Sequence, residues 1–312
     1  MVRHPGKCCK SARKAGEASI PEATFQIVEI IMNFGPALRA AAGIAVLSVM
    51  DAVIKGMSAY YPTFQIAFLR FACGSLIATG VVLAVRPGWP SRETVTANLL
   101  RSVAGVVTAV SFFYALGELP LAETLVLSFL SPMFIALFGL LMLKERVDAR
   151  IIGAIVVGFA GTLVVVLGQS GEAEAARSWS GVAAALLSAV TYALSLVLLR
   201  QRAQRDKFMH IVFFQNIGPA TLVMPFGLLF WQPLDLTHLA WFMSMGVLGV
   251  IGHVLMATAY AKAEAARLAP LEYTALIWAA AIGYGVFHEI PTWATLGGGV
   301  LIVAAAMVTS RR

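Results

Sequence analysis

Apolar stretches of about twenty residues recur along almost the whole chain, separated by short polar connections. A hydrocarbon core of about 30 Å takes about 20 helical residues to cross, so each stretch has the length of a membrane span. In water such a chain has no stable fold. Its 312 residues are 59% hydrophobic and only 12% charged, against roughly 25% charged in an average soluble domain. A strand-built membrane barrel would show short segments of period-two alternation, and that pattern is absent. The expected class is an all-α polytopic membrane protein with membrane lipid as its first partner.

Reading the apolar runs against their breakers predicts ten spans. The first half holds Ala37–Met57, Thr63–Val85, Ala97–Leu116, Leu121–Leu143 and Arg150–Leu167. The second holds Trp179–Arg200, Met209–Trp231, Leu239–Ala261, Leu268–Phe287 and Trp293–Ser310. Residues 1–36 are basic and aperiodic and are expected to be a disordered extension, followed by five-helix units over 37–168 and 179–312. Met32-Asn33-Phe34-Gly35-Pro36 would make a natural start, so residues 1–31 are expected to be an extension or a mis-called beginning. They contain no secretory signal pattern, which leaves insertion to the first span.

Placement of charge tests this division. The net charge is +7, and the Lys and Arg residues fall in alternate connections. With the N-terminus inside, the inside connections hold Arg86, Arg92 and Arg101, then Lys144, Arg146 and Arg150, and so on to Arg311 and Arg312. The outside connections hold only Arg177, leaving Lys55 and Arg70 within spans. Such one-sidedness follows the positive-inside rule and predicts ten spans with both termini cytoplasmic. No basic face with interleaved aromatics exists, so nucleic acid is not an expected partner. Cys8, Cys9 and Cys73 have neither metal-ligand spacing nor a disulfide framework, and no cofactor is expected.

The halves echo each other. Tyr114-Ala115 with Glu118 matches Tyr260-Ala261 with Glu264, and Lys144-Glu145 matches His288-Glu289. Because each half has an odd number of spans, the second half enters the membrane upside down. Inverted repeats of this kind place a substrate near the midplane, between the halves.

These residues lead to a resemblance. Asp51-Ala-Val-Ile-Lys55, Pro62, Phe68-Leu-Arg70, Leu119-Pro-Leu-Ala-Glu-Thr124, Ser128-Phe-Leu-Ser-Pro132 and Lys144-Glu-Arg-Val147 resemble the EamA-like branch of the drug/metabolite transporter superfamily. Ala269-Pro-Leu-Glu-Tyr-Thr274 and His288-Glu289 continue the match, which spans Met32 to Arg312. The resemblance implies a carrier of small polar metabolites in the bacterial inner membrane, with two inverted five-helix repeats around a central cavity. One departure stands out: Lys144 and His288 occupy the place of the family's usual glycine before the helix-ending Glu, so these turns are expected to differ locally.

A charge inside a bilayer costs about 2.5–3.5 kcal/mol, so each intramembrane charge asks for a partner or a role. Asp51 and Arg70 fall at nearly the same depth on adjacent spans. Two readings stand: a structural ion pair pinning the first two spans, or Arg70 facing a cavity to hold an anionic group, with Asp51 as its partner or as a proton carrier. Lys55 is expected to snorkel to the outer interface. Glu272, beside Pro270 and Tyr273, either lines a kinked binding segment or pairs with Lys262 or Arg267 in the interfacial zone. Glu123 begins the fourth span, where a helix N-terminus stabilises a carboxylate.

Gln215, Asn216 and Pro219 form a polar, breakable segment opposite Gln65 and Arg70, which makes the second and seventh spans candidate gates. Tyr114, Tyr192, Tyr260, Tyr273, Trp278 and Tyr284 either stack a planar substrate or belong to interface belts. His253 either titrates near neutral pH or makes a helix–helix hydrogen bond. Gly153, Gly158 and Gly161 in the fifth span and Gly297, Gly298 and Gly299 in the tenth read as scaffold or dimer surfaces, so the chain is expected to act as a monomer or homodimer.

No phosphate-cradling Gly-rich loop is present, and the polar candidates stand singly on different spans rather than clustered for catalysis. The expectation is not an enzyme but a secondary carrier working by alternating access on a small polar metabolite, amino-acid-like or nucleoside-, flavin- or cofactor-like. Coupling to protons would run through Asp51, Glu272 or His253. The alternative is a channel or sensor-type membrane protein.

Overall fold

The connections between the apolar runs carry the chemistry that starts helices. Pro36 opens α1 (Pro36–Ser58), Pro62 precedes α2 (Thr63–Val85) and Pro120 precedes α4 (Leu121–Ser128). Proline suits the first turn, where its missing N–H has no partner to lose. α3 (Arg92–Glu118) starts from Ser91, whose Oγ accepts the Thr94 N–H at 3.1 Å. Ser178 does the same at 3.2 Å for Gly181 in α7 (Trp179–Arg202), and Thr292 at 3.1 Å for Thr295 in α11 (Trp293–Ser310). Asp235 caps α9 (Leu236–Tyr260) by accepting the Thr237 N–H at 2.9 Å and hydroxyl at 2.8 Å. These bonds hold its carboxyl below the usual carboxylate range.

The computed structural model describes residues 35–86, 88–143, 149–167, 178–202, 208–260 and 274–310. Eleven helices lie among them, the others being α5 (Ser131–Leu143), α6 (Ala149–Leu167), α8 (Phe208–Leu229) and α10 (Thr274–Phe287). The expected disordered extension lies outside the described residues.

Two local expectations change. The fourth span is not one helix but α4 and α5, parted at Phe129 and Leu130. Pro132 has no N–H to offer the Ser128 carbonyl, and the end of α4 tightens to three-residue spacing, with Leu130 N–H donating to Leu127 O at 3.2 Å. Conversely, α8 runs unbroken through Pro219 and Pro225. At the end of α10, His288 takes the left-handed conformation (φ 57°) that favours glycine. That is the backbone a glycine would take there, so His288 keeps the turn without the glycine, while Lys144 lies outside the described residues.

Six described helices, and α4 and α5 taken together over Leu121–Met142, are long and apolar enough to cross a membrane, and three shorter apolar stretches accompany them, within α6, α10 and α11. No more than half of each long crossing window is buried. Leu76, Leu83, Leu229, Trp293 and Val300 face outward, an apolar exterior that lipid rather than water can solvate.

Packing between the halves is symmetric. α1 packs on α9 while its counterpart α7 packs on the counterpart of α9, which is α3. α2 lies on its own counterpart α8, α4 on α10, and α6 on α11. A two-fold relation between two five-span repeats requires this exchange, and the odd number of spans makes the repeats inverted. At the α6–α11 contact a Cβ on Gly161 would stand 2.9 Å from Gly298 O, and one on Gly298 would stand 2.6 Å from Gly161 O. These two glycines therefore serve the scaffold within the chain.

Candidate functional site: a cavity between the halves

A cavity of about 250 Å³ lies where three helices of each half meet. From the first half, Asp51 of α1, Arg70 and Phe71 of α2, and Arg101, Ser102 and Thr108 of α3 line it. From the second come Tyr192 and Ser195 of α7, Gln215 and Pro219 of α8, and His253 of α9. The apolar wall includes Leu47, Phe112 and Phe113.

Arg70 lies between the halves. The side chain is buried, with Nη1 donating to Asn216 Oδ1 at 3.3 Å and the guanidinium carbon 4.3 Å from the Phe71 ring centre. Asn216 is itself held by donating to Val212 O at 3.0 Å. A Cβ at position 249 would stand 2.7 Å from Nη2, so Gly249 is what lets α9 approach. The Arg70 Nε–H has no acceptor. A buried donor without a partner costs about 1–3 kcal/mol.

Asp51 lines the same cavity but makes no ion pair with Arg70. Its helix α1 packs chiefly on α9, and the neighbouring α2 on α8 and α9, rather than on each other. The two charges therefore face the cavity separately and interact across it. His253 Nδ1 lies 2.6 Å from Gly249 O. A carbonyl only accepts, so Nδ1 carries the proton and Nε2 remains the open ring nitrogen.

Arg101 was expected in a connection and instead lies well inside α3, buried, with Nη2 donating to Asn98 Oδ1 at 3.1 Å and to Ile211 O at 3.4 Å. The Ser91 cap was the available signal: a helix starting at Arg92 carries Arg101 past its second turn. Gln215, Asn216, Asp51, Arg70 and His253 thus come together around one space. Three other candidates do not. Gln65 and Tyr114 sit beyond the cavity, and Trp278 is exposed on α10. Glu272 and Tyr273 lie outside the described residues.

Beyond the cavity, toward the end where α1 finishes, Ile54, Met57, Ile66, Phe113, Leu116 and Phe242 form one apolar cluster. Polar contacts between the halves overlie it. Gln65 Nε2 donates to Gln232 O and Gln65 Oε1 accepts the Gln232 N–H, both at 2.9 Å. Tyr61 Oη lies 2.9 Å from His238 Nδ1 and accepts the Asp235 N–H at 3.1 Å.

Lys55 does not snorkel. It pairs with Glu289 Oε1 at 3.0 Å and donates to Leu116 O at 3.0 Å and Leu119 O at 2.6 Å. Glu289 Oε2 accepts the Leu121 N–H at 2.8 Å. The carbonyls ending α3 and a carboxylate from the other half satisfy the ammonium within the protein. Glu123 is buried nearby and lines, with Glu289, a second space of about 220 Å³ between α4 and α10.

Comparison with known proteins agrees with this architecture. The pattern of the EamA-like transporter family matches residues 36–167 and again 179–311. The pseudopaline exporter CntI of Pseudomonas aeruginosa is 33% identical over 271 residues, covering 85% of this chain and 92% of that protein. The S-adenosylmethionine uptake transporter of Rickettsia bellii is 22% identical over 260 residues, covering 83% and 88%. A solved structure titled "Crystal structure of protein" superposes with a TM-score of 0.61 at 23% identity, covering 88% of this chain and 98% of that one.

Proposed function

The chain belongs to the EamA-like transporter family, whose business is transport rather than catalysis, and from that premise we propose that it is a secondary carrier moving a small polar metabolite by alternating access. The observation that carries the proposal is the cavity shared by three helices of each half and shut at one end by an apolar layer and cross-half polar contacts. A channel needs a continuous path, whereas a carrier needs one closed end at a time. The inverted repeat supports the rest, because rocking one half against the other exchanges which end is closed. Arg70 is the proposed anchor for an anionic group of the solute, with Asp51, Gln215 and His253 around it.

The proposed setting is a bacterial inner membrane with both termini cytoplasmic, supported by the basic side of the connections. Of the two relatives above, one is named as an exporter and the other as an uptake transporter, so the shared fold serves either direction. Counterflow tests the reading. Purified protein in liposomes, screened against labelled metabolites, is expected to give saturable uptake accelerated by unlabelled solute inside. Unsaturable conductance without exchange would instead support the channel.

A further inference from the structure

We propose that Glu289 is a proton-operated latch: as a bare carboxylate it holds the outer end shut, and with a proton on it that end opens. This rests on the carrier reading and its orientation, and deepens them by naming what governs the closed end.

Glu289 Oε1 pairs with Lys55 Nζ at 3.0 Å, and Oε2 accepts the Leu121 N–H at 2.8 Å. Both oxygens therefore face donors. A carboxylate only accepts, whereas a carboxylic acid carries an O–H of its own. A proton on Oε1 would meet the ammonium, and one on Oε2 would meet the amide. The closed latch and the proton exclude each other, so each opposes the other reciprocally. The Glu289 side chain is 22% exposed, which lets a proton reach it from outside.

What remains when the latch parts follows from the packing. Glu289 is fastened to α10, its N–H donating to Gly283 O at 2.9 Å. α10 packs on its own counterpart α4, and such a pair lies at the pseudo-two-fold axis, where rocking moves its members least. Lys55 arrives instead from α1, which packs on α9, and its other bonds go to Leu116 O and Leu119 O of the first half. Rocking withdraws Lys55 and leaves Glu289 beside Glu123, which is buried and lines the same space of about 220 Å³. A carboxylate that loses its cation next to another carboxyl group takes up a proton more readily. The proton then replaces the ammonium.

The other groups on the surrounding elements are turned elsewhere or uncharged. At the end of α3, Glu118 accepts the Ser178 hydroxyl at 2.6 Å. The start of α11 presents the hydroxyls of Thr292 and Thr295, 3.0 Å apart. His288 precedes Glu289 in the chain. At the same end His238 joins the halves separately, through Tyr61.

The test reads the outer end directly, in cells expressing the full chain with Cys8, Cys9 and Cys73 replaced. Ala109→Cys places a thiol on the cavity wall, where a membrane-impermeant thiol reagent added outside reaches it only while the outer end is open. Labelling rates are divided by those of a free thiol at the same pH. Lowering the outside pH from 8 to 5 should raise the normalised rate about tenfold or more, because one proton per opening is worth up to about tenfold per pH unit. Glu289→Gln should label at pH 8 as fast as its parent at pH 5, with no further rise. Glu123→Gln, which keeps the Lys55 pair, should retain the rise but move it to lower pH, and so separates loss of the latch from loss of the fold. A rise that persists in Glu289→Gln, or one removed instead by His238→Gln, would overturn the proposal. A flat profile beside saturable counterflow would overturn it while leaving the carrier reading intact. The expected profile without any counterflow would do the reverse.

Discussion

Lys55 joins several elements of the far end. One ammonium ties the ends of α1 and α3 to a carboxylate that also holds the first N–H of α4. The two side chains are 11% and 22% exposed, so the pair lies between a surface ion pair of about 0–1 kcal/mol and a buried one whose one-sided removal costs about 3–5 kcal/mol. Lys55→Met is expected to destabilise the protein by about 2 kcal/mol, with a coupling to Glu289→Gln of about 1–2 kcal/mol in a double-mutant cycle. Thermal unfolding in detergent measures both, and strictly additive losses would mean that the pair does not couple the halves. His288 offers the opposite sign. Its left-handed φ of 57° strains a side-chain-bearing residue by about 1–2 kcal/mol, so His288→Gly should raise stability by about 1 kcal/mol.

Arg70 and Asp51 were legible as site candidates because a charge inside an apolar run is conspicuous in a linear sequence. Their separation was not, because it depends on α9 lying against both of their helices. Lys55 and Glu289 were each visible, but nothing in local periodicity links residues from opposite halves.

At the scale of helices, hydrophobic runs and breakers located the spans to within a few residues, while proline alone misled about where a helix breaks. Pro219 and Pro225 sit inside an unbroken α8, and the break falls instead in the Ser128–Pro132 segment. Neighbouring packing decides whether the lost hydrogen bond is tolerated, and packing is a tertiary property. Glycines divide in the same way. Gly161 faces Gly298 across the α6–α11 contact, whereas a Cβ on Gly153 would meet nothing within 4 Å. Gly161→Val should therefore cost about 2–3 kcal/mol through forced separation of the helices. Gly153→Ala should be neutral or stabilising by up to about 1 kcal/mol. Melting temperatures of the two variants side by side check this, and equal effects would contradict the packing account.

For the molecule as a whole, the inverted repeat could be inferred from an odd number of spans per half and from echoes of Tyr-Ala and Glu. The structure adds which helices exchange partners and where the cavity falls. It also adds the closed end, which no sequence pattern announced because its contacts join residues far apart in the chain. Under the proposed alternating access, the far end must open while the cavity closes on its other side. The direct measurement is a tether across that end. With Cys8, Cys9 and Cys73 replaced, cysteines at positions 61 and 238 can be joined by a reducible bifunctional thiol reagent, and counterflow measured before and after reduction. A tether between Ser58→Cys and Gly117→Cys, both in the first half and in contact, serves as control. Alternating access predicts that the cross-half tether stops counterflow, that reduction restores it, and that the control tether leaves it running. Undiminished counterflow with the far end tethered would contradict the account.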